Sequence, residues 1–511
     1  MKLNLVIMIV SIILPLIIVF GLASSTTITT AYNNDDNDVI LQNKVAIQLR
    51  LYPGSSTIKL FNQNVDNNEH MNLTYKVFTQ NLLDKKSTTT TTTTKYSRLI
   101  PDQSSYIRQP ESGIVYNPKE FVSFWSNITT TDVSNTAFII EIRINNNNDD
   151  EVQQNTVNGY IRPFDANETN GFRKIPLLNS SSQNVVGEIE VNYLIIRPTG
   201  DDFNPLSDHY ISIDDIQVAG HRGTGTGIRY DLPEKFIENT ISAFNYACKN
   251  GAQMIELDVQ LSLDRIPVIY HDFEVQTNFV NRHKCKKHEM IKIPLKDFTL
   301  HSLQQISTNF MPHVSKNVSM FSQSFETLEQ VLNYTDPNCG IDVEIKYPSQ
   351  KKNLQYESEL GVELNEYVDR ILNILFKYGG ERPMFITSFH ADLCSMIRLK
   401  QNKYHVGFLT SAKHWSTDPR DFSIESAVAF AQSMMIKAIV PVVDPILTSK
   451  TTTNGRYKYI DYVKQRKLGL YLWGNKINSH QIVMNLLDNG VDLLIFDRID
   501  KIINETTFII H

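Results

Sequence analysis

From about residue 216 onward, short apolar runs alternate with amphipathic stretches of helical period, and this repeat constrains the chain more than any other feature. Candidate strands are Gln217–Gly220, Met254–Val259, Val268–His271, Ile341–Lys346, Met384–Ser388, His405–Leu409, Ala438–Val443, Gly469–Trp473 and Val491–Phe496. Between them lie helical stretches that include Thr240–Lys249, Tyr367–Lys377, Ile424–Met434 and Gln481–Asn489. Strands that alternate with helices form parallel βα units, because a crossover helix is what joins parallel neighbours. Roughly eight such units over residues 216–505 fit a TIM-type (β/α)8 barrel. An open doubly wound sheet produces a similar pattern, and periodicity does not separate the two.

The chain of 511 residues is too long for that unit alone. Residues 43–205 hold short alternating runs, Val45–Leu51, Ala137–Ile144 and Gly187–Ile196, joined by Asn-, Ser- and Thr-rich connectors. They read as a small all-β, sandwich-like domain placed before the barrel. The threonines of 88–94 and the asparagines of 145–148 carry no periodicity and read as loops.

Residues 1–25 stand apart. Lys2 precedes an apolar run from Leu3 to Ala23 that contains Pro15 and ends in small residues, the pattern of a signal peptide. Residues 26–42 are Asp/Asn-rich and read as a disordered leader. The expected location is secreted or lumenal, with a signal-anchored membrane protein as the alternative if the segment is not cleaved. No second stretch is apolar enough to span a bilayer. Seven Asn-x-Ser/Thr sequons, at Asn72, Asn127, Asn167, Asn179, Asn317, Asn333 and Asn504, suit a glycoprotein. Cys248, Cys285, Cys339 and Cys394 are too widely spaced for a disulfide framework; one or two bridges, or four buried thiols, are both open. A net charge of -6 with no long basic run excludes bulk-charge binding of nucleic acid.

The chemistry concentrates at strand ends. Ala219-Gly-His-Arg-Gly223 places His221 and Arg222 where a barrel carries its catalytic rim, and Gly223 permits a sharp turn. Glu256 and Asp258 are two apart on a strand and share one face. Two acids inside a barrel repel each other unless something positive lies between them, and one hard divalent cation, Mg²⁺ or Ca²⁺, suits oxygen ligands. Asp342, Glu344 and Lys346 repeat the pattern; Glu344 can add a third carboxylate and Lys346 can meet an anionic oxygen. His271 ends another run. Two histidines, three carboxylates, an Arg and a Lys suit phosphoryl transfer. The segment Arg282–His288 offers two histidines and one cysteine without a fourth ligand, and reads as a basic exposed loop.

The run from His221 to Asp272 (HRG, ENT, AF, GA, E-x-D, PV…HD) resembles the signature of the glycerophosphodiester phosphodiesterase family. The likeness continues through Val343-Glu-Ile-Lys-Tyr-Pro348, Thr387-Ser-Phe389, Lys400-Gln-Asn-Lys-Tyr404, Leu472-Trp-Gly474 and Phe496-Asp-Arg-Ile499, and is greatest toward the eukaryotic glycerophosphocholine phosphodiesterase branch. The resemblance implies a TIM barrel that hydrolyses a small-molecule glycerophosphodiester to glycerol 3-phosphate and an alcohol. By motif position His221 and His271 are the acid/base pair, Glu256, Asp258 and Glu344 the metal ligands, and Arg222 and Lys346 the phosphate binders. Gly187–Pro198 resembles the strand that joins the N-terminal domain to the barrel in that branch, where the domain is often of a starch-binding type. Only Trp125 of the three tryptophans precedes the barrel, so glycan binding is not expected. Trp473 ends a strand and Phe389 follows one; both are candidates to read a choline head group through their aromatic faces. The rival functions are phospholipase-D-like hydrolysis of lysophospholipids and a non-catalytic binding module.

Overall fold

A computed structural model describes residues 41, 43–54, 57–61, 73–83, 92–144, 155–200, 207, 210–277, 291–306, 325–413, 415–450 and 455–502. The signal segment, the leader apart from Leu41, the Arg282–His288 stretch and the sequons at Asn72, Asn317 and Asn504 lie outside the described residues.

The N-terminal domain is antiparallel throughout. Its long strands run in the order Leu73–Asn81, Thr136–Ile144, Asn155–Ile161, Asn170–Asn179, Val185–Ile196, Lys44–Leu51 and Val122–Thr129. Alternate side chains of strands far apart in this order, such as Val45, Ile47 and Leu49 with Tyr75, Val77, Ile140 and Ile142, share one core. The sheet therefore folds back on itself as a two-layer sandwich. Thr92–Thr93, part of the tract read as a loop, pairs with Phe78 and Thr79. The asparagines of 145–148 lie outside the described residues.

Lys44–Leu51 is buried on both faces. Val45, Ile47 and Leu49 enter the sandwich core, while Gln48 and Arg50 face the second domain. Gln48 Nε2 donates to Met434 Sδ at 3.4 Å. Arg50 makes a forked contact to the Asp392 carboxylate, with Nη2 3.0 Å from Oδ2, and Nη2 also donates to Tyr193 O at 3.3 Å. Arg420 Nη2 reaches the same carboxylate at 2.7 Å and Asp418 at 2.6 Å. Four buried or half-buried charges thus alternate in sign across the domain boundary. Burial pushes the Asp392 carboxyl up, and the two guanidinium groups more than offset this, holding it well below the usual range.

The second domain is a closed parallel barrel. Its eight strands are β1 (Val218–Gly220), β2 (Met254–Leu261), β3 (Gly340–Ile345), β4 (Met384–Ser388), β5 (His405–Thr410), β6 (Ala438–Pro441), β7 (Gly469–Trp473) and β8 (Leu493–Phe496). β1 pairs with both β2 and β8, and this closure decides against the open doubly wound sheet. The outer helices include α1 (Ile241–Lys249), α2 (Leu328–Tyr334), α3 (Leu364–Tyr378), α4 (Ala391–Lys400), α5 (Ile424–Met434), α6 (Lys458–Lys464) and α7 (His480–Asp488). Thr240, Thr327 and Ser423 cap α1, α2 and α5 by accepting from backbone amides of the first turn. The interior is filled at its base by Ala219, Met254, Phe385, Val440, Tyr471 and Ile495.

One expected barrel strand is different. The run read as Val268–His271 forms Pro267–Ile269, which returns antiparallel along β2 as the second arm of a hairpin. The Asp-containing turn Ser262–Ile266 closes the hairpin, with Ser262 N donating to Ile266 O at 3.0 Å. Five residues are enough to turn a strand back but not to carry a crossover helix. His271 therefore arrives at the barrel mouth from outside the ring, two residues past its strand. Cys248 at the end of α1 is disulfide-bonded to Cys339 just before β3, and Cys394 is a buried free thiol. Cys285 lies outside the described residues.

Candidate active site

The site is built from the C-terminal ends of the strands. Side chains alternate along β2, so that Met254 lies in the interior core and Glu256 and Asp258 follow on the same face. In β3 the same face carries Asp342 and Glu344. The parallel register sets Glu256 beside Asp342 and Asp258 beside Glu344. One oxygen from each of Glu256, Asp258 and Glu344 lies within 4.8 Å of the others. Glu256 Oε1 and Asp258 Oδ1 are buried and have no hydrogen-bond partner among the described residues. Burial, reinforced by the neighbouring acids Asp258, Glu344 and Asp342, holds the Glu256 carboxyl well above its usual range. Burial also raises Asp258, but His271, Arg222 and Lys346 outweigh it and hold that carboxyl low.

The turn after β1 supplies the first cation. Gly223 has φ +84, and a Cβ there would lie 2.9 Å from the Ala243 carbonyl carbon, so the turn needs glycine. Arg222 itself sits at φ 47. That conformation aims its amide at Glu256 Oε2 (2.8 Å) and its guanidinium at Glu238 (3.1 Å) and Asp258 (3.4 Å). Lys346 Nζ lies 2.9 Å from Glu344 and 3.7 Å from Asp258. Burial lowers the Lys346 amine, and these two carboxylates more than offset it, so it stays firmly protonated.

Both histidines are held in the same way. His221 Nδ1 lies 2.8 Å from Asp497 Oδ1, and Nε2 lies 3.9 Å from Glu256. His271 Nδ1 lies 2.7 Å from Asp272 Oδ1. In each pair the carboxylate takes Nδ1 and leaves Nε2 for other work. Asp497 is itself fixed by Thr226 N (3.1 Å) and Asn478 Nδ2 (2.9 Å).

Trp473 and Phe389 meet edge to face, with ring centroids 5.5 Å apart. They line a cavity of about 260 Å³ together with Phe273, Tyr347, Trp415 and Glu357, and Glu344 and Lys346 form its inner wall. The structure thus brings all nine expected residues to one end of the barrel. It also adds residues the sequence reading did not assign. Asp497 stands at the end of β8, a position where a barrel strand carries function, and so was open to discovery. Asn239, fully buried at φ 57, donates Nδ2 to Asp258 at 2.7 Å. Asp342 accepts from Thr387 at 2.9 Å, and burial holds its carboxyl well above the usual range. Trp415 and Glu357 lie on loops whose sequence carries no periodic signal.

The model of the Glycerophosphoryl diester phosphodiesterase family matches residues 221–501, and that of the GDE1-like C2 domain matches residues 41–200. The N-terminal domain thus resembles a C2 domain in place of the starch-binding type. A curated glycerophosphocholine phosphodiesterase of Homo sapiens is 28% identical over 432 residues, 78% of this chain and 63% of that protein. Its Rattus norvegicus counterpart is 27% identical over 435 residues, again 78% and 63%. The chain therefore spans a little under two thirds of the length of these relatives. A glycerophosphocholine phosphodiesterase of Eremothecium gossypii is 27% identical over 388 residues, 64% of this chain and 28% of that protein. A crystal structure of a glycerophosphodiester phosphodiesterase from Thermotoga maritima aligns with 59% of this chain and all of its own length, at 19% identity and a TM-score of 0.37. Because the family match takes in the whole barrel and more than half of the 511 residues, the chain belongs to the glycerophosphoryl diester phosphodiesterase family.

Proposed function

We propose that this chain hydrolyses glycerophosphodiesters, glycerophosphocholine foremost, to glycerol 3-phosphate and an alcohol. The observation that carries the reading is the gathering of Glu256, Asp258 and Glu344 beside Arg222 and Lys346 at the barrel mouth. The unpartnered buried oxygens of Glu256 and Asp258 fit a divalent cation, because an all-oxygen donor set suits a hard ion such as Mg²⁺ or Ca²⁺. When bound, such an ion neutralises phosphate charge and polarises a phosphoryl oxygen.

The chain's own residues do the rest. Arg222 and Lys346 offer positive charge to the phosphate oxygens. His221 and His271, oriented through Nδ1, exchange protons at Nε2: one accepts the proton of the attacking hydroxyl, and the other protonates the leaving alkoxide. The hydroxyl can be the substrate's own, next to the phosphate on glycerol; water then opens the cyclic phosphate to glycerol 3-phosphate. Purified protein assayed on glycerophosphocholine, glycerophosphoethanolamine and lysophosphatidylcholine tests the reading. Hydrolysis of the first is expected, with loss on chelation and recovery on adding Mg²⁺ or Ca²⁺. Full activity after exhaustive chelation would remove the metal from the scheme; turnover of the lysolipid alone would favour the phospholipase-D-like rival.

We further propose that the protein enters the secretory pathway and carries N-glycans. Support comes from the apolar leader, from the exposed sequons Asn127, Asn167 and Asn333, and from the Cys248–Cys339 bond, which suits an oxidising compartment. Protein made in a eukaryotic host should migrate faster after glycosidase treatment. Unchanged mobility would count against this location.

A further inference from the structure

The cavity beside the carboxylate cluster has an unusual balance of charge. Five aromatic side chains, Phe273, Tyr347, Phe389, Trp415 and Trp473, form its walls, and two carboxylates, Glu344 and Glu357, face it. Glu344 is matched by Lys346 at 2.9 Å. Glu357 has no such partner. Its Oε2 accepts from Ser349 N at 3.0 Å, and among the described residues no Lys or Arg lies within ion-pair distance. Burial holds its carboxyl above the usual range, and the Ser349 amide and the charges of Lys346 and Lys351 offset this only in part.

The wall that carries Glu357 is assembled in advance. The loop after β3 folds on itself through the Gln350–Tyr356 bridge. It is zipped to the loop after β5, where Lys352 N donates to Trp415 O at 3.2 Å and Thr417 N to Gln350 O at 3.0 Å. Trp473 is anchored from the other side by its Nε1 donating to Val440 O at 3.1 Å. The indole N–H of Trp473 is thus taken up, and its ring, with Trp415 and Glu357, lines the cavity.

Aromatic faces and a carboxylate without an ion-pair partner attract a cation that needs no hydrogen-bond acceptor. We infer that Glu357, working with Trp415 and Trp473, selects glycerophosphodiesters whose alcohol is a quaternary ammonium, and is the specificity-determining charge of the site. This rests on the hydrolytic reading above for its substrate, but the pocket binds the cation whether or not turnover follows.

Glu357→Gln keeps the acceptor for Ser349 and removes only the charge. It should lower kcat/KM for glycerophosphocholine by about 5- to 30-fold, chiefly through KM, as for loss of a desolvated cation contact. Glycerophosphoglycerol, which has no cation, should change less than about 2-fold, well inside the roughly 5-fold that one kcal/mol represents. Trp473→Ala should show the same asymmetry. Equal losses on both substrates, or none on either, would overturn the inference. Tetramethylammonium binding, followed by tryptophan fluorescence, separates the two readings. Binding by the wild type that weakens in Glu357→Gln supports the cation pocket even if no diester is hydrolysed. Absence of binding in the wild type overturns it even if hydrolysis is fast.

Discussion

His221→Ala should lower turnover of glycerophosphocholine by about 10²–10⁴-fold, and His271→Ala by a similar factor, the range for a lost general acid or base. Each imidazole has a carboxylate on Nδ1, Asp497 for the first and Asp272 for the second, so each has one defined nitrogen facing the site. Burial alone would raise Asp497, but His221 and the donors Asn478 and Thr226 hold it low, so it remains an anion able to stabilise a protonated ring. Because the two rings serve opposite proton transfers, the double variant should fall little below the worse single one. Both lie beyond their strands at the rim, so the thermal midpoint should stay close to wild type. Wild-type turnover in either variant would exclude that residue from the chemistry.

The largest stability effect is expected far from the chemistry. Arg50→Ala should cost about 3–5 kcal/mol in chemical denaturation, the penalty for breaking a buried ion pair from one side. Arg50, Asp392, Arg420 and Asp418 balance as two positive and two negative charges. Without Arg50, two carboxylates share a single guanidinium inside the domain boundary. The desolvation already spent on Asp392 is then uncompensated. A loss below about 1 kcal/mol, the range of exposed pairs, would mean that Arg420 alone satisfies Asp392.

The strands of the barrel were legible because burial on both sides leaves a continuous apolar run that ends abruptly. β4, β7 and α5 have the bounds their sequences suggest. The acids of β2 and β3 stood out because they interrupt such runs at a spacing of two. The Val268–His271 run misled because a period of two carries no direction, and a return arm looks like a barrel strand. In the N-terminal domain, Asn170–Asn179 was not distinguished: most of its side chains are exposed or half-buried, so its alternation is diluted. The motif residues of the site lie on strand ends and are local in sequence. Their partners are not. Asp497 is 276 positions from His221, and Asp392 is 342 from Arg50. Glu357 and Trp415 line one cavity only because two loops come together, and no pattern within either loop records it.

The closure of the barrel between β1 and β8 also sets an order in time. A chain emerging from its N-terminus during synthesis presents His221 early and Asp497 almost last. The Cys248–Cys339 link and the carboxylates of β2 and β3 are available while the final strands are still being made. The His221–Asp497 pair, contributed by the first and last strands, is not. His221 therefore gains its orienting carboxylate only when the ring is sealed.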